Sequence, residues 1–170
     1  MEAELARALT GLTTGIYVLT VAEGENHHGM SSSWVTQVSG VPPLISAAID
    51  NQHFSRAIVA RTGKFGLNIV GGRGKALEDY FYSADARRPD NLRELEYELS
   101  PGLGVPWLKN AMVSIEARVA HTLVAGDHTI FVGEPAGVRI NANDRPLTSL
   151  ELEYVYIGGK EVVARDRSGW

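Results

Sequence analysis

The chain has 170 residues, 44% hydrophobic and 21% charged, a balance that suits one globular domain large enough to bury a core without covalent staples. It contains no cysteine, which removes disulfides, thiolate metal sites, iron–sulfur clusters and cysteine nucleophiles together. A net charge of −4 without any basic tract argues against a nucleic-acid partner, and no apolar run approaches the ~18 residues of a membrane-spanning helix.

From the N-terminus, Glu2 to Leu9 reads as a short helix of Ala, Leu, Glu and Arg stopped at Thr10-Gly11. This start lacks the basic residues and long apolar stretch of a signal peptide, so a reducing cytoplasm is the expected location. Ile16 to Ala22 is β-branched and aromatic, as in a strand buried on both faces. After a turn at Glu23-Gly24-Glu25-Asn26, His27 to Val38 reads as the returning strand, and Pro42 and Pro43, with no N–H to donate, end its pairing. Leu44 to Ile49 is a strand of small and apolar residues, and Asp50 to Arg61 holds a helix with Ser55 near its start. Lys64 to Val70 alternates as a strand, Lys75 to Ser83 is a short helix, and Ala84 to Leu108 is a polar excursion. Met112 to Val124 sets Val113, Ile115, Ala117, Val119, His121 and Leu123 on one face and Ser114, Glu116, Arg118 and Thr122 on the other. Thr129 to Ile140 is a strand bent at Gly133-Glu134-Pro135, and Tyr154 to Ala164 is a hairpin turning at Gly158-Gly159.

About seven strands and two or three short helices, with no βαβ alternation, favour a mainly β fold over a doubly wound sheet. The expected architecture is a closed or split antiparallel barrel with short flanking helices. Residues 1–164 form the single domain and 165–170 a loose tail.

Several chemistries fail on spacing. Gly71-Gly72-Arg73-Gly74-Lys75 looks like a phosphate loop, but Ile69 stands where a P-loop needs glycine and Ala76 where it needs Ser or Thr. It reads as a plain turn, with an ancillary anion contact as the alternative. His27, His28, His53, His121 and His128 show no metal-ligand spacing and no accompanying carboxylate cluster, so no metal site is expected. His121 reads as a hydrogen-bonded core residue on the apolar face of its strand. No G-x-S-x-G elbow supports a hydrolytic serine.

Two features remain. Ser31, Ser32, Ser33 and Thr36 surround Trp34, then come Pro42-Pro43 and a nearly apolar strand. Hydroxyls and backbone amides in that pattern suit a flat, polar-edged aromatic ligand carrying a phosphate better than a plain core. Gly126-Asp127-His128 taken alone is a turn; beside the serine segment it brings a carboxylate and an imidazole between two apolar strands.

Three stretches together resemble, in order, the motifs of the flavin reductase-like family, whose fold is the FMN-binding split barrel. They are Gly29 to Gln37 with Ser39 and Pro42-Pro43, the strand Lys64 to Val70, and Gly126-Asp127-His128 with Gly133-Glu134. The likeness runs from about Leu5 to Lys160 and includes flavoredoxin-type proteins and the flavin reductase-like module of flavodiiron proteins. It implies a flavin, FMN or alternatively FAD, held at a homodimer interface, with NAD(P)H as electron donor. Carried over by position, Ser31, Ser32, Ser33 and Trp34 line the isoalloxazine ring, and Ala48, Ile49, Asp50 and Asn51 approach it. Ser55 meets the phosphate with Arg56 beside it, at a helix start that favours an anion on its own account. His128 lies where the nicotinamide docks and orients it, while the hydride chemistry belongs to the flavin. The implied activity is an NAD(P)H:flavin reductase supplying reduced flavin to an acceptor or a redox partner protein. The alternatives are an FMN-binding electron carrier with no productive NAD(P)H reaction, and a cofactor-free barrel for some other small molecule. Gly40-Val41 departs from the D-P-P turn common in the family, and the charged stretch Arg87 to Glu98 matches none of its motifs.

Overall fold

The computed structural model describes residues 2–83, 88–158 and 161–165. Helix α1 (Ala3–Leu9) leads to strand β1 (Tyr17–Glu23), which is buried on both faces because Leu19 and Val21 enter one core and Val18 another. Gly24 takes a positive φ in the tight turn to β2 (Asn26–Ser32), which pairs with β1.

The returning strand does not continue to Val38. It stops at Ser32, and β3 (Val35–Gly40) pairs with β4 (Pro43–Asp50) instead of β1. Period-two patterning in a hydroxyl-rich segment leaves partner and register open, so the sequence alone could not place this break. Helix α2 (Phe54–Thr62) begins later than Asp50, because β4 runs through that residue and His53 caps the helix. Gly63, at φ 65°, ends α2 and releases β5 (Lys64–Ile69). A 3₁₀ turn over Gly72–Gly74 then opens α3 (Lys75–Tyr82).

The polar excursion contains a two-stranded ribbon, β6 (Tyr97–Leu99) with β7 (Pro106–Leu108), while its residues 84–87 lie outside the described ones. The long hairpin β8 (Val113–Ala125) and β9 (His128–Ile140) follows, then β10 (Tyr154–Gly158) and β11 (Glu161–Ala164). Gly159 of the last turn and residues 166–170 of the tail lie outside the described residues.

Seven strands form one antiparallel sheet in the order β2-β1-β5-β8-β9-β4-β3. The sheet is rolled, since Leu19 of β1 and Val35 of β3, near its opposite edges, share a core with Ile49, Phe65, Phe131 and with Ile58 and Val59 of α2. This is a split barrel: β2 and β3 are its two edges, joined through Ser33-Trp34 but not paired. The outer edge of β2 is blunted by Asn91, whose carboxamide accepts from the Gly29 amide and donates to the Gly29 carbonyl. That gives Asn91, within the otherwise unassigned charged stretch, a structural task.

Two expectations for β8 are corrected. His121 is exposed rather than in the core, because β8 runs past the end of its β5 partner at Arg118 and every residue from Ala120 to Ala125 is exposed. On the supposedly polar face, Ser114 and Glu116 are buried, and the Glu116 carboxylate accepts from Ser100 Oγ and the Leu103 amide. The Gly71–Lys75 stretch is a turn, and its anion is internal: Asp144 Oδ2 accepts from the Arg73 amide.

Candidate functional site

A cavity of about 380 Å³ opens where the two sheet edges meet. Its walls include Ser31, Ser32, Ser33 and Trp34 from the β2–β3 passage, Ala48 and Asp50 from β4, and His128 at the start of β9. The β8–β9 turn delivers His128: Ala125 pairs with His128, so the turn is Gly126-Asp127, with Gly126 at φ 61°. Hydroxyls, a carboxylate and aromatic rings around a cleft of this size match a flat ligand with polar edges.

The imidazole geometry is specific. Asp127 Oδ1 lies 2.7 Å from His128 Nδ1, and a carboxylate only accepts, so Nδ1 carries the hydrogen. Nε2 is then the accepting nitrogen, 3.4 Å from the Tyr156 hydroxyl. Trp34 packs against both, with ring centroids 4.5 Å from His128 and 5.2 Å from Tyr156. Three elements distant in sequence thus converge on one side of the cavity.

Not every expected residue faces it. Ile49 points into the barrel core, Thr36 is exposed on β3, and Asn51, Ser55 and Arg56 lie outside the lining. Thr129 Oγ1 donates to Asn51 Oδ1 and accepts from Arg56 Nε, which ties Asn51 and Arg56 together through Thr129. Ser55 is buried at the first turn of α2; its amide donates to His53 Nδ1 and its hydroxyl has no partner among the described residues. His28, also buried, leaves Nε2 unpartnered beside the same turn, with its ring 5.1 Å from Phe54. Burial holds the His28 pKa down at about 4, helped by His53. An orphaned buried hydroxyl beside a helix start is what an anionic ligand group would relieve.

The sequence reading missed Gln52, His53, Phe81, Tyr82 and Tyr156 as cavity residues. The first two lie two and three residues beyond Asp50, and α3 carries Phe81 and Tyr82 past β2, but nothing in their spacing points to a ligand. Gly29 is the one glycine of the lining with a clear packing reason: a Cβ there would lie 2.8 Å from the Phe81 ring.

Residues 9–158 match the family model described as "Flavin reductase like domain". The chain belongs to that family. Among its relatives, an NADH-dependent flavin reductase of Rhodococcus sp is 33% identical over 132 residues, covering 76% of this chain and 72% of that protein. A high molecular weight rubredoxin of Moorella thermoacetica is 27% identical over 144 residues, covering 84% of this chain but only 62% of its own length. Among solved structures, the flavin reductase PheA2 superposes with a TM-score of 0.75 at 28% identity, covering 87% of this chain and 93% of that one. The flavin reductase fold is therefore shared along nearly the whole chain, and the cavity lies inside the matched region. Among the described residues no helix is long and apolar enough to cross a membrane, and no group of three or more metal-ligating side chains occurs.

Proposed function

We propose that this protein is an NAD(P)H-dependent flavin reductase, a flavin-binding oxidoreductase that hands reduced flavin to an acceptor. The observation that carries the reading is the convergence of the Ser31–Trp34 passage, the Asp127–His128 pair and Tyr156 on one cleft. The resident group is FMN, with FAD as the alternative, and when bound it supplies the hydride acceptor. Ser31, Ser32 and Ser33 meet its polar edge and Trp34 its face, with Ala48 and Asp50 forming the β4 side and Ile49 and Asn51 approaching through their main chain. Its phosphate goes to the start of α2, toward Ser55 and Arg56, a placement supported by the unpartnered Ser55 hydroxyl. His128 orients the nicotinamide, fixed in one tautomer by Asp127.

A homodimer is part of the reading, because Val41 is 97% exposed and Val38, Leu123 and Val124 are also exposed, a burden of apolar surface that a second copy would cover. A redox partner protein takes the reduced flavin, and the absence of cysteine suits a cytoplasmic setting. The second reading, an FMN-binding electron carrier, draws on the match to a rubredoxin.

Anaerobic mixing of the flavin-loaded protein with NADH and with NADPH separates the two. Bleaching of the flavin's visible absorption is expected for the reductase, and His128→Ala slows it by about 10²-fold while flavin stays bound. A loaded protein that neither nucleotide bleaches is a carrier. A colourless protein that takes up neither FMN nor FAD sinks both readings.

A further inference from the structure

One face of β10 carries Tyr154 and Tyr156, and the two hydroxyls reach in different directions. Tyr156 goes to His128 Nε2 at the cavity. The Tyr154 hydroxyl donates to Oε1 of Glu78 on α3, and its ring lies 4.9 Å from Tyr82, itself a cavity residue. Glu78 is completely buried, and its other oxygen has no hydrogen-bond partner among the described residues. An apolar side chain would fill that space without stranding a carboxyl oxygen, so the carboxyl is a liability unless its one bond matters. The burial also pushes its pKa up. Meanwhile, among the described residues, β10 pairs only with β11 in a sheet separate from the barrel. No backbone ladder fixes β10 against the cavity, and side chains must set its position.

We propose that Glu78 is a positioning residue for the active site: by holding Tyr154 it fixes β10, and so places the Tyr156 hydroxyl against His128 and Trp34. Glu78 touches neither flavin nor nucleotide; it acts through the two tyrosines. Only the kinetic arm of its test rests on the flavin reductase reading.

Three variants separate the bond from the fold. Glu78→Leu removes the acceptor while keeping the volume filled, Tyr154→Phe removes one oxygen, and Glu78→Gln retains a carbonyl oxygen that can accept. In flavin-free protein, the His128 ring resonances are assigned by their loss in His128→Ala. They are expected to move in Glu78→Leu and Tyr154→Phe and to stay in place in Glu78→Gln. In the loaded protein the apparent KM for the nucleotide is expected to rise about tenfold in the first two and to stay within about twofold in the third, with flavin affinity held within about twofold in all. Unmoved resonances together with an unchanged KM in Tyr154→Phe overturn the proposal, and so does a Glu78→Gln variant as impaired as Glu78→Leu. If Glu78→Leu fails to fold, Tyr154→Phe decides. A wild-type protein that never binds flavin, or is never bleached, refutes the reductase reading, while the flavin-free resonances still decide the role of Glu78.

Discussion

His28 makes a sharp prediction about acid stability. Its Nδ1 lies 3.1 Å from the Pro89 carbonyl, which can only accept, so Nδ1 carries the hydrogen and the buried, unpartnered Nε2 is a bare lone pair. Charging the ring would put a proton on Nε2 with no acceptor to receive it, 5.7 Å from the His53 ring. Burial first, then the neighbouring His53, lowers its pKa from 6.5 to about 4. The unfolded chain takes up this proton as pH falls below 6.5, and the folded chain only near 4. Neutral His28 therefore stabilises the fold fully above the unfolded value, and that stability drains away as pH falls through the window. At about 1.4 kcal/mol per pH unit, this residue removes roughly 2.5 kcal/mol between about pH 7.5 and about pH 4.5, a large share of a typical 5–15 kcal/mol. In His28→Asn the amide can still donate to Pro89 but does not titrate. Urea unfolding of flavin-free wild type and variant across that range measures the difference directly, because the other titrating groups are present in both proteins. The stability gap should shift by roughly 2.5 kcal/mol in the variant's favour on acidification. Two curves that descend in parallel would show that burial does not hold His28 neutral.

Phe131, wholly buried in the barrel core, should lose about 3–5 kcal/mol as Phe131→Ala, read by the same urea unfolding; a loss under about 1 kcal/mol would mean the core closes over the gap. Ala48 faces the cavity from β4, so Ala48→Leu should weaken flavin uptake by about tenfold or more, measured by fluorescence titration, with little change in unfolding midpoint. Unaltered flavin affinity would place the ring elsewhere. Asp127→Asn removes the carboxylate that fixes the His128 tautomer and should slow anaerobic flavin bleaching by about tenfold without releasing flavin, whereas a wild-type rate would confine Asp127 to its turn.

How much of this was legible in the sequence depends on the range of the interactions. A strand whose side chains are dictated by burial, such as Ile16 to Ala22, was readable because apolar content alone specifies it, whereas Lys64 to Val70 was read as alternating and is buried from Phe65 through Asn68. The Gly126-Asp127 turn was readable because a two-residue hairpin needs a positive φ. The break at Ser33-Trp34 was not, since partner choice between β1 and β4 is a tertiary matter. The exposure of His121 was hidden for a similar reason: β8 outruns its β5 partner at Arg118, and no local preference announces where that neighbour ends. Within the site, the serines, Trp34 and His128 stood out as polar groups in apolar surroundings. Tyr156 and Tyr82 did not, because an aromatic on a short strand or helix is ordinary core material until a partner from another element reaches it.

The split itself accounts for where the cleft lies. Had β2 and β3 paired, their edge N–H and C=O groups would have satisfied one another and the barrel would have closed. Left apart, those edges must find other partners, since unpaired backbone groups are costly once water is excluded. On β2, Asn91 serves Gly29 in that way, while Trp34, whose carbonyl accepts from the Ala48 amide, extends the β3–β4 ladder. Between these points the chain from Met30 to Trp34 borders the cavity. A heteroaromatic ring edged with alternating donors and acceptors can substitute there for the missing strand, using backbone groups that any side chain would leave in place. On this argument the serine hydroxyls refine the fit, while the unclosed seam creates the site. Single Ser→Ala changes along it should therefore cost less flavin affinity than Ala48→Leu, which fills the seam from the opposite wall.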